Sequence, residues 1–88
     1  MKYEVILRKQ PTKCLDKLDE KTKRLFRRAF EGLEETPFEV SGPLHGEFEG
    51  LRKVPVGNRR IVIFIDVTRK RVEVLEIGPR GDIYKKSV

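Results

Sequence analysis

One apolar run in the second half of the chain most constrains its fold. Residues Ile61 to Val67 include six apolar residues out of seven, and most of these are β-branched or aromatic. This composition favours a strand over a helix, and the run is far shorter than the roughly 20 apolar residues of a membrane-spanning helix. The run therefore predicts the central, buried strand of a sheet.

Two further strand patterns flank this run. Leu51 to Val56 precedes it and is joined to it by the two-residue turn signal Gly57-Asn58. Arg71 to Ile77 follows it, after a turn at residues 68 to 70. Three strands joined by short turns in this way predict an antiparallel β-meander.

The last strand of this meander carries apolar residues on both of its predicted faces. Strict alternation places Val72 and Val74 on one face, with Leu75 and Ile77 on the other. We therefore expect neither face of this strand to be wholly exposed to water.

The first half of the chain predicts a strand followed by two helices. Tyr3 to Leu7 has the alternation of a strand, and Thr12 is the expected cap of a short helix. Asp19 is the expected cap of a longer helix, whose apolar residues recur at spacings of three and four. This helix is expected to end near Glu35, because a residue that precedes proline avoids the helical conformation. Residues 37 to 50 are then expected to form a loop.

These elements predict a single α+β domain that spans residues 1 to 88. Its expected architecture is an antiparallel β-meander with an N-terminal strand and an α-helical hairpin packed on one sheet face. A chain of 88 residues buries only a modest share of its surface, so one sheet covered by one helical layer is about what it can build.

The net positive charge of the chain lies in its second half. Residues 1 to 50 contain ten Lys and Arg against ten Asp and Glu, whereas residues 51 to 88 contain ten against four, which accounts for the whole net charge of +6. A positive sheet surface indicates a polyanionic partner, most often nucleic acid. The alternative is a solvated sheet edge whose charges prevent aggregation.

Cysteine and histidine are too few for a disulfide or an ordinary zinc site. Cys14 is the single cysteine and His45 the single histidine, so no internal disulfide and no metal site are expected. Cys14 is expected to be a small core residue, and His45 a surface residue of the loop rather than a general base. Because the sequence shows neither a signal peptide nor a membrane span, we expect a cytoplasmic protein.

Three motifs follow one another from the loop to the end of the chain. They are Leu44-His45-Gly46, then the basic strand and turn of residues 51 to 60 with the apolar residues 61 to 64, and finally Gly78-Pro79-Arg80-Gly81-Asp82-Ile83-Tyr84. In this order, and after a strand and a helical hairpin, they resemble the RelE/ParE superfamily of bacterial and archaeal toxins. The resemblance spans nearly the whole chain and implies a RelE-like fold.

For RelE-type members, the resemblance implies a ribosome-dependent endoribonuclease that cuts messenger RNA in the A site and so inhibits translation. It implies no metal ion or other cofactor. The positions that match the family's catalytic residues are Lys53, Arg60, Arg80 and Tyr84. The positions expected to bind RNA are Arg52, Lys53, Arg59, Arg60, Arg80 and Lys85.

Residues of these types suit the cleavage of RNA by its own 2′-hydroxyl. That reaction needs a group that takes the hydroxyl proton, positive charge near the phosphorane and a proton donor for the leaving oxygen. Arginine binds phosphate oxygens in a bidentate manner and stays charged. A tyrosine stacks on a base, and it carries a proton only where cationic neighbours lower its pKa from about 10.

The resemblance leaves two other functions open. ParE-type members are non-catalytic inhibitors of DNA gyrase. Pro55 and Pro79 stand where many ribonuclease members have a basic residue and a histidine, which leaves open an inactive relative that binds RNA or its antitoxin without cutting. The expected partners are a RelB-like antitoxin, the ribosome and messenger RNA, and the free toxin is expected to be monomeric.

Overall fold

The apolar run in the second half of the chain forms a central strand. In the computed structural model, which describes residues 2–44 and 50–79, this strand extends from Arg59 to Asp66. Three helices and four further strands complete the described part of the chain. In chain order the elements are β1 (Glu4–Leu7), α1 (Lys9–Asp16), α2 (Glu20–Glu35), α3 (Pro37–Val40), β2 (Gly42–Pro43), β3 (Arg52–Val56), β4 (Arg59–Asp66) and β5 (Arg71–Pro79).

The strands form one mixed sheet of five strands in the order β1-β5-β4-β3-β2. β4 is antiparallel to both β3 and β5, and β2 is antiparallel to β3. β1 runs parallel to β5. Two parallel strands need a crossover connection, and α1 and α2 lie in the connection that leaves β1. The predicted α+β class, with a meander, an N-terminal strand and a helical hairpin on one sheet face, is confirmed.

The hydrophobic core lies between α2 and one face of the sheet. Phe26 and Leu33 of α2 pack against Ile61 and Ile63 of β4 and against Val72 of β5, and all five are at most 1% exposed. Cys14 of α1, half-buried, packs against this cluster, in agreement with its predicted core role. No helix within residues 2–44 and 50–79 is long and apolar enough to span a membrane.

Both predicted boundaries of the longer helix are confirmed. Asp19 stands directly before α2 in an extended conformation, with φ −74° and ψ 166°, as the residue at a helix N-cap does. The helix ends at Glu35, because Thr36 has a φ of −139° and a ψ of 68° and cannot continue it. Thr36 precedes Pro37, which excludes the helical conformation at that position as expected.

The predicted start of the first helix is wrong. The cap of α1 is Arg8 rather than Thr12, and the helix begins at Lys9. Thr12 lies inside α1, where its hydroxyl donates a hydrogen bond of 2.9 Å to the carbonyl oxygen of Arg8. Pro11 lies in the first turn of α1, where proline is tolerated because its missing N–H would have no partner within the helix.

The predicted loop at residues 37 to 50 is also wrong in its first half. Pro37 begins the one-turn helix α3, where its fixed φ suits the first helical position. Gly42 and Pro43 then pair with Lys53 and Arg52 as the short edge strand β2. His45 lies outside the residues that the structure describes, and so does the expectation about it.

A β-bulge in β5 overturns the predicted split of its apolar residues. Ile63 pairs with Val74, but the preceding residue Val62 pairs with Glu76, so Leu75 is the extra residue of β5. The extra residue shifts the alternation by one position. Ile77 therefore points into the same core as Val74, with 2% of its surface exposed, instead of lying opposite to it.

The side-chain amide of Gln10 closes part of one edge of β5. Its Nε2 donates a hydrogen bond of 3.0 Å to the carbonyl oxygen of Ile77, and its Oε1 accepts one of 2.9 Å from the Ile77 N–H. β1 pairs with β5 only as far as Val74. Beyond that point, the side-chain amide of Gln10 takes the place of a backbone partner for β5. α1 is thereby attached to the end of the sheet.

The turn between β3 and β4 supports one prediction about stability. Gly57 has a φ of +61° while Asn58 has a negative φ, which is the pattern of a type II′ hairpin turn. We expect Gly57→Ala to lower the free energy of unfolding by about 1 kcal/mol, because alanine is strained at positive φ. The added Cβ itself meets only Leu25, at an ordinary 3.7 Å.

Gly42→Ala is the matched control for this substitution. Gly42 has no positive φ, and an added Cβ meets nothing within 4 Å. We expect it to leave the urea unfolding midpoint almost unchanged. Equal midpoints for the two variants would contradict the strain assigned to Gly57.

Candidate nucleic-acid interface

The side chains of β4 alternate between two faces of the sheet. Ile61, Ile63 and Ile65 point into the core beneath the helices. Alternation places the others on the opposite face, which we call the outer face. From β4, the outer face receives Arg60, Val62 and Phe64.

Lys53 and Arg60 are neighbours on this outer face. Lys53 is paired with Val62, and Arg60 is paired with Pro55, in the antiparallel register of β3 and β4. The two basic residues are therefore diagonal neighbours, roughly 7 to 8 Å apart at the backbone. Two positive side chains at this distance are able to contact the same phosphate group or two adjoining ones.

Arg60 is buried in the middle of this surface. Only 5% of it is exposed, which is rare for an arginine. It lies between Pro55 on β3 and Gly78 on β5, neither of which has a long side chain. Arginine keeps its positive charge when buried, and a positive charge is what stabilisation of a phosphorane-like transition state requires.

Two carboxylates also reach the outer face. Glu73 is paired with Phe64, and its Oε1 accepts a hydrogen bond of 2.6 Å from Nη2 of Arg8, so its negative charge is compensated. Glu76 is paired with Val62 and is exposed. Glu76 was not predicted from the sequence, because its place opposite Val62 depends on the bulge at Leu75.

Arg52 points to a different part of the molecule. Its Nε donates to the hydroxyl of Ser41 at 2.7 Å, and its Nη2 donates to the carbonyl oxygens of Ser41 at 3.0 Å and Phe38 at 3.2 Å. Its guanidinium also lies 5.1 Å from the centre of the Phe38 ring. Arg52 thus joins β3 to α3, and its predicted contact with RNA stays a prediction.

Arg59 lies on the helix side of the sheet, not on the outer face. It lines a cleft of about 630 Å³ between α1 and the first residue of β4. The same cleft is lined by Gln10, by the apolar residues Cys14 and Leu18, and by three lysines. Two of the lysines belong to α1 and the third is its C-terminal cap residue. The three lysines are Lys9, Lys13 and Lys17.

These lysines are functional candidates that the sequence analysis missed. The first fifty residues have no net charge, so the charge distribution indicated a polyanion-binding surface only in the second half of the chain. The available signal was their spacing of four, which places Lys9, Lys13 and Lys17 in one row along a helix.

Three predicted site residues lie outside the described part of the chain. They are Arg80, Tyr84 and Lys85. The last described residue, Pro79, is paired with Arg59, and Gly78 is paired with Arg60. Arg80 is therefore the next residue in the sequence after the end of β5, and that end is paired with Arg59 and Arg60. Within residues 2–44 and 50–79, no three His, Cys, Asp or Glu side chains are grouped so that they could hold a metal ion.

Solved structures of toxins share this fold. A chain of the RelBE2 toxin-antitoxin complex from Mycobacterium tuberculosis is 26% identical, with a TM-score of 0.81 over 91% of this chain and 100% of that chain. A chain of the archaeal RelE-RelB complex from Pyrococcus horikoshii OT3 is 25% identical, with a TM-score of 0.76 over 92% of this chain and 98% of that chain.

The same fold extends to a more distant toxin. The YoeB/ParE toxin from Agrobacterium tumefaciens is 15% identical, with a TM-score of 0.73 over 88% of this chain and 98% of its own, and this likeness concerns the fold alone. No protein-family model matches the chain, and no curated protein sequence matches it. The likeness is therefore carried by the three-dimensional structure.

Proposed function

We propose that this chain, which belongs to the RelE-like toxin superfamily, is the toxin of a toxin-antitoxin pair and cuts messenger RNA in the ribosomal A site. The observation that carries the proposal is the pair of Lys53 and Arg60 on the outer face, where Arg60 is buried. Because its target is the translating ribosome, the toxin acts in the cytoplasm and inhibits translation.

The proposed reaction uses the 2′-hydroxyl of the RNA as the nucleophile. The 2′-hydroxyl loses its proton as a bond forms between the 2′-oxygen and the adjacent phosphorus. The bond from that phosphorus to the 5′-oxygen of the next nucleotide breaks, and the leaving 5′-oxygen takes up a proton. Negative charge builds on the phosphorane, and Arg60 and Lys53 are close enough to each other to stabilise it together. By the family resemblance, Arg80 adds a second guanidinium, and Tyr84 stacks on the RNA base or carries a proton.

An antitoxin is the second proposed partner. The solved structures from Mycobacterium tuberculosis and Pyrococcus horikoshii are complexes of a toxin with its antitoxin. The net charge of +6 gives this chain a physical reason to bind a partner with acidic segments, since opposite charge accelerates association. We propose a RelB-like antitoxin, with the free toxin monomeric.

Ribosomes programmed with a defined message provide the test. We expect cuts within the A-site codon by primer extension, and we expect addition of the antitoxin to suppress them. Lys53→Gln should lower the apparent affinity for the programmed ribosome about tenfold and reduce its dependence on salt, because one charged phosphate contact is lost.

Lys21→Gln is the control for this substitution, because Lys21 is an exposed lysine of α2 and also carries one positive charge. It should bind and cut as the unmodified chain does. An intact message at every tested concentration would rule out the ribonuclease.

One observation favours a second candidate, a ParE-like inhibitor of DNA gyrase that has no catalytic step. Arg60 faces Pro55 across the strands, so the position of β3 directly opposite Arg60 is not basic. The YoeB/ParE toxin from Agrobacterium tumefaciens also has this fold. Inhibition of gyrase supercoiling by the purified chain, together with an uncut message, would favour this candidate. An uncut message without that inhibition would leave an inactive relative that binds RNA or its antitoxin.

A further inference from the structure

The cleft between α1 and β4, which we call the α1 cleft, gathers four positive side chains from two separate elements. Lys9, Lys13 and Lys17 recur every four residues, and Arg59 lines the cleft from the first residue of β4. Eight residues of helix rise by roughly 12 Å, so the lysines form a row about that long. The cleft has a volume of about 630 Å³, which is within the usual range for a ligand site.

Among residues 2–44 and 50–79, no carboxylate lines the α1 cleft. Of the ion pairs formed within residues 2–44 and 50–79, none includes any of its four basic residues. Lysines near the end of a helix also interact favourably with the helix dipole, which accounts for Lys13 and Lys17 without a ligand. That explanation does not require Arg59 to line the same cavity, and four positive charges gathered in one cleft attract anions.

The α1 cleft lies at the same end of the sheet as the candidate interface on the outer face. Arg59 and Arg60 are consecutive residues of β4, so their side chains lie on opposite faces. Arg59 is paired with Pro79 and Arg60 with Gly78 at the end of β5. An extended polyanion on the outer face thus needs only to pass this end of the sheet to reach the lysine row.

We propose that the α1 cleft binds a row of phosphate groups. Lysine ammonium groups bind phosphate as point charges, and a row about 12 Å long is able to contact more than one phosphate group of a single chain. The phosphates belong either to the backbone of the RNA on the outer face or to a free oligophosphate. Only the first of these sources rests on the proposed function.

Isothermal titration calorimetry with tripolyphosphate tests the site without any cleavage assay. The triple variant Lys9→Gln, Lys13→Gln and Lys17→Gln should bind tripolyphosphate at least about tenfold more weakly than the unmodified chain, because charged hydrogen bonds are lost. The matched control loses the same amount of positive charge, but from exposed residues of α2 that do not line the α1 cleft. It consists of Lys21→Gln, Arg24→Gln and Arg28→Gln.

The control variant should bind tripolyphosphate within about twofold of the unmodified chain, since charges on a solvated face contribute little. Equal weakening in the two triple variants would overturn the proposal, because the effect would then depend on net charge alone. Tighter binding of a polyglutamate peptide than of tripolyphosphate would also overturn it in favour of an acidic protein segment.

Amide chemical shifts of the unmodified chain keep the proposal testable if a triple variant fails to fold. Tripolyphosphate should shift the amide signals of Lys13, Lys17 and Arg59, and leave those of Arg24 and Arg28 unchanged. Shifts spread equally over both groups would contradict a localised site.

Single-stranded RNA distinguishes the two sources of phosphate. If RNA is the source, the slope of log affinity against log salt should fall by about two in the cleft variant, since each lost contact removes about 0.7. An unchanged slope, with tripolyphosphate binding weakened, assigns the cleft to a free oligophosphate. Binding of tripolyphosphate by a chain that leaves messages intact would remove the proposed ribonuclease but keep this site.

Discussion

Arg80→Ala is expected to lower the single-turnover rate of message cleavage about a hundredfold on programmed ribosomes, with a much smaller loss of ribosome affinity. The reason is that a guanidinium aimed at the phosphorane interacts most strongly in the transition state, and loss of one such donor costs about a hundredfold or more. Arg28→Ala, on the exposed face of α2, is the control and should cut normally.

The same measurement resolves the role of Tyr84, the other predicted catalytic residue after β5. If Tyr84 orients the RNA base by stacking, Tyr84→Phe should cut almost normally and Tyr84→Ala should be strongly impaired. If it transfers a proton, both variants should be impaired. We expect the first result, because only a strongly lowered pKa would make tyrosine an effective base near neutral pH. Full activity in Arg80→Ala and Tyr84→Ala would exclude both residues from the mechanism.

Ile63→Ala is expected to lower the free energy of unfolding by about 3 kcal/mol, the usual cost of emptying a fully buried aliphatic site. Ile63 is 0% exposed and belongs to the main core cluster. For a chain of this size, such a loss should lower the midpoint of thermal unfolding by roughly 15 °C. Circular dichroism during heating provides the measurement.

The next residue along β4 is the natural control for this substitution. Phe64 is on the outer face and 41% exposed, so Phe64→Ala should cost only about 1 kcal/mol although it removes a larger side chain. A larger loss for Phe64→Ala than for Ile63→Ala would mean that the core and outer faces of β4 have been assigned the wrong way round.

The register of β3 and β4, which places Lys53 near Arg60, could be predicted from the sequence because it depends on a short turn. A two-residue turn at Gly57-Asn58 pairs Val56 with Arg59, and each step away from the turn fixes the next pair. This register makes Lys53 and Arg60 diagonal neighbours on one face. Alternation alone then separates them from the core residues of β4.

Features that depend on contacts between distant segments were not accessible in this way. The bulge at Leu75 inserts one residue without a glycine or proline to mark it, and it moved Ile77 into the core. The α1 cleft depends on the position of Arg59 relative to helix residues far earlier in the chain. Thr12 was a plausible cap by residue type, but the polar residue Arg8 at the end of β1 took that position.

The hydrogen bonds between Gln10 and Ile77 limit how another molecule can extend the sheet. Since both backbone groups of Ile77 that face this edge are already bonded, an incoming strand cannot pair there. At the other edge β2 has only two residues, and Pro43 has no N–H to donate. β1 is the first strand of the sheet order, and its outward backbone groups form a row that begins at Tyr3, whose N–H is already bonded to the Glu34 carbonyl oxygen. We therefore expect a partner strand that joins this sheet to lie along Val5 and Leu7 of β1.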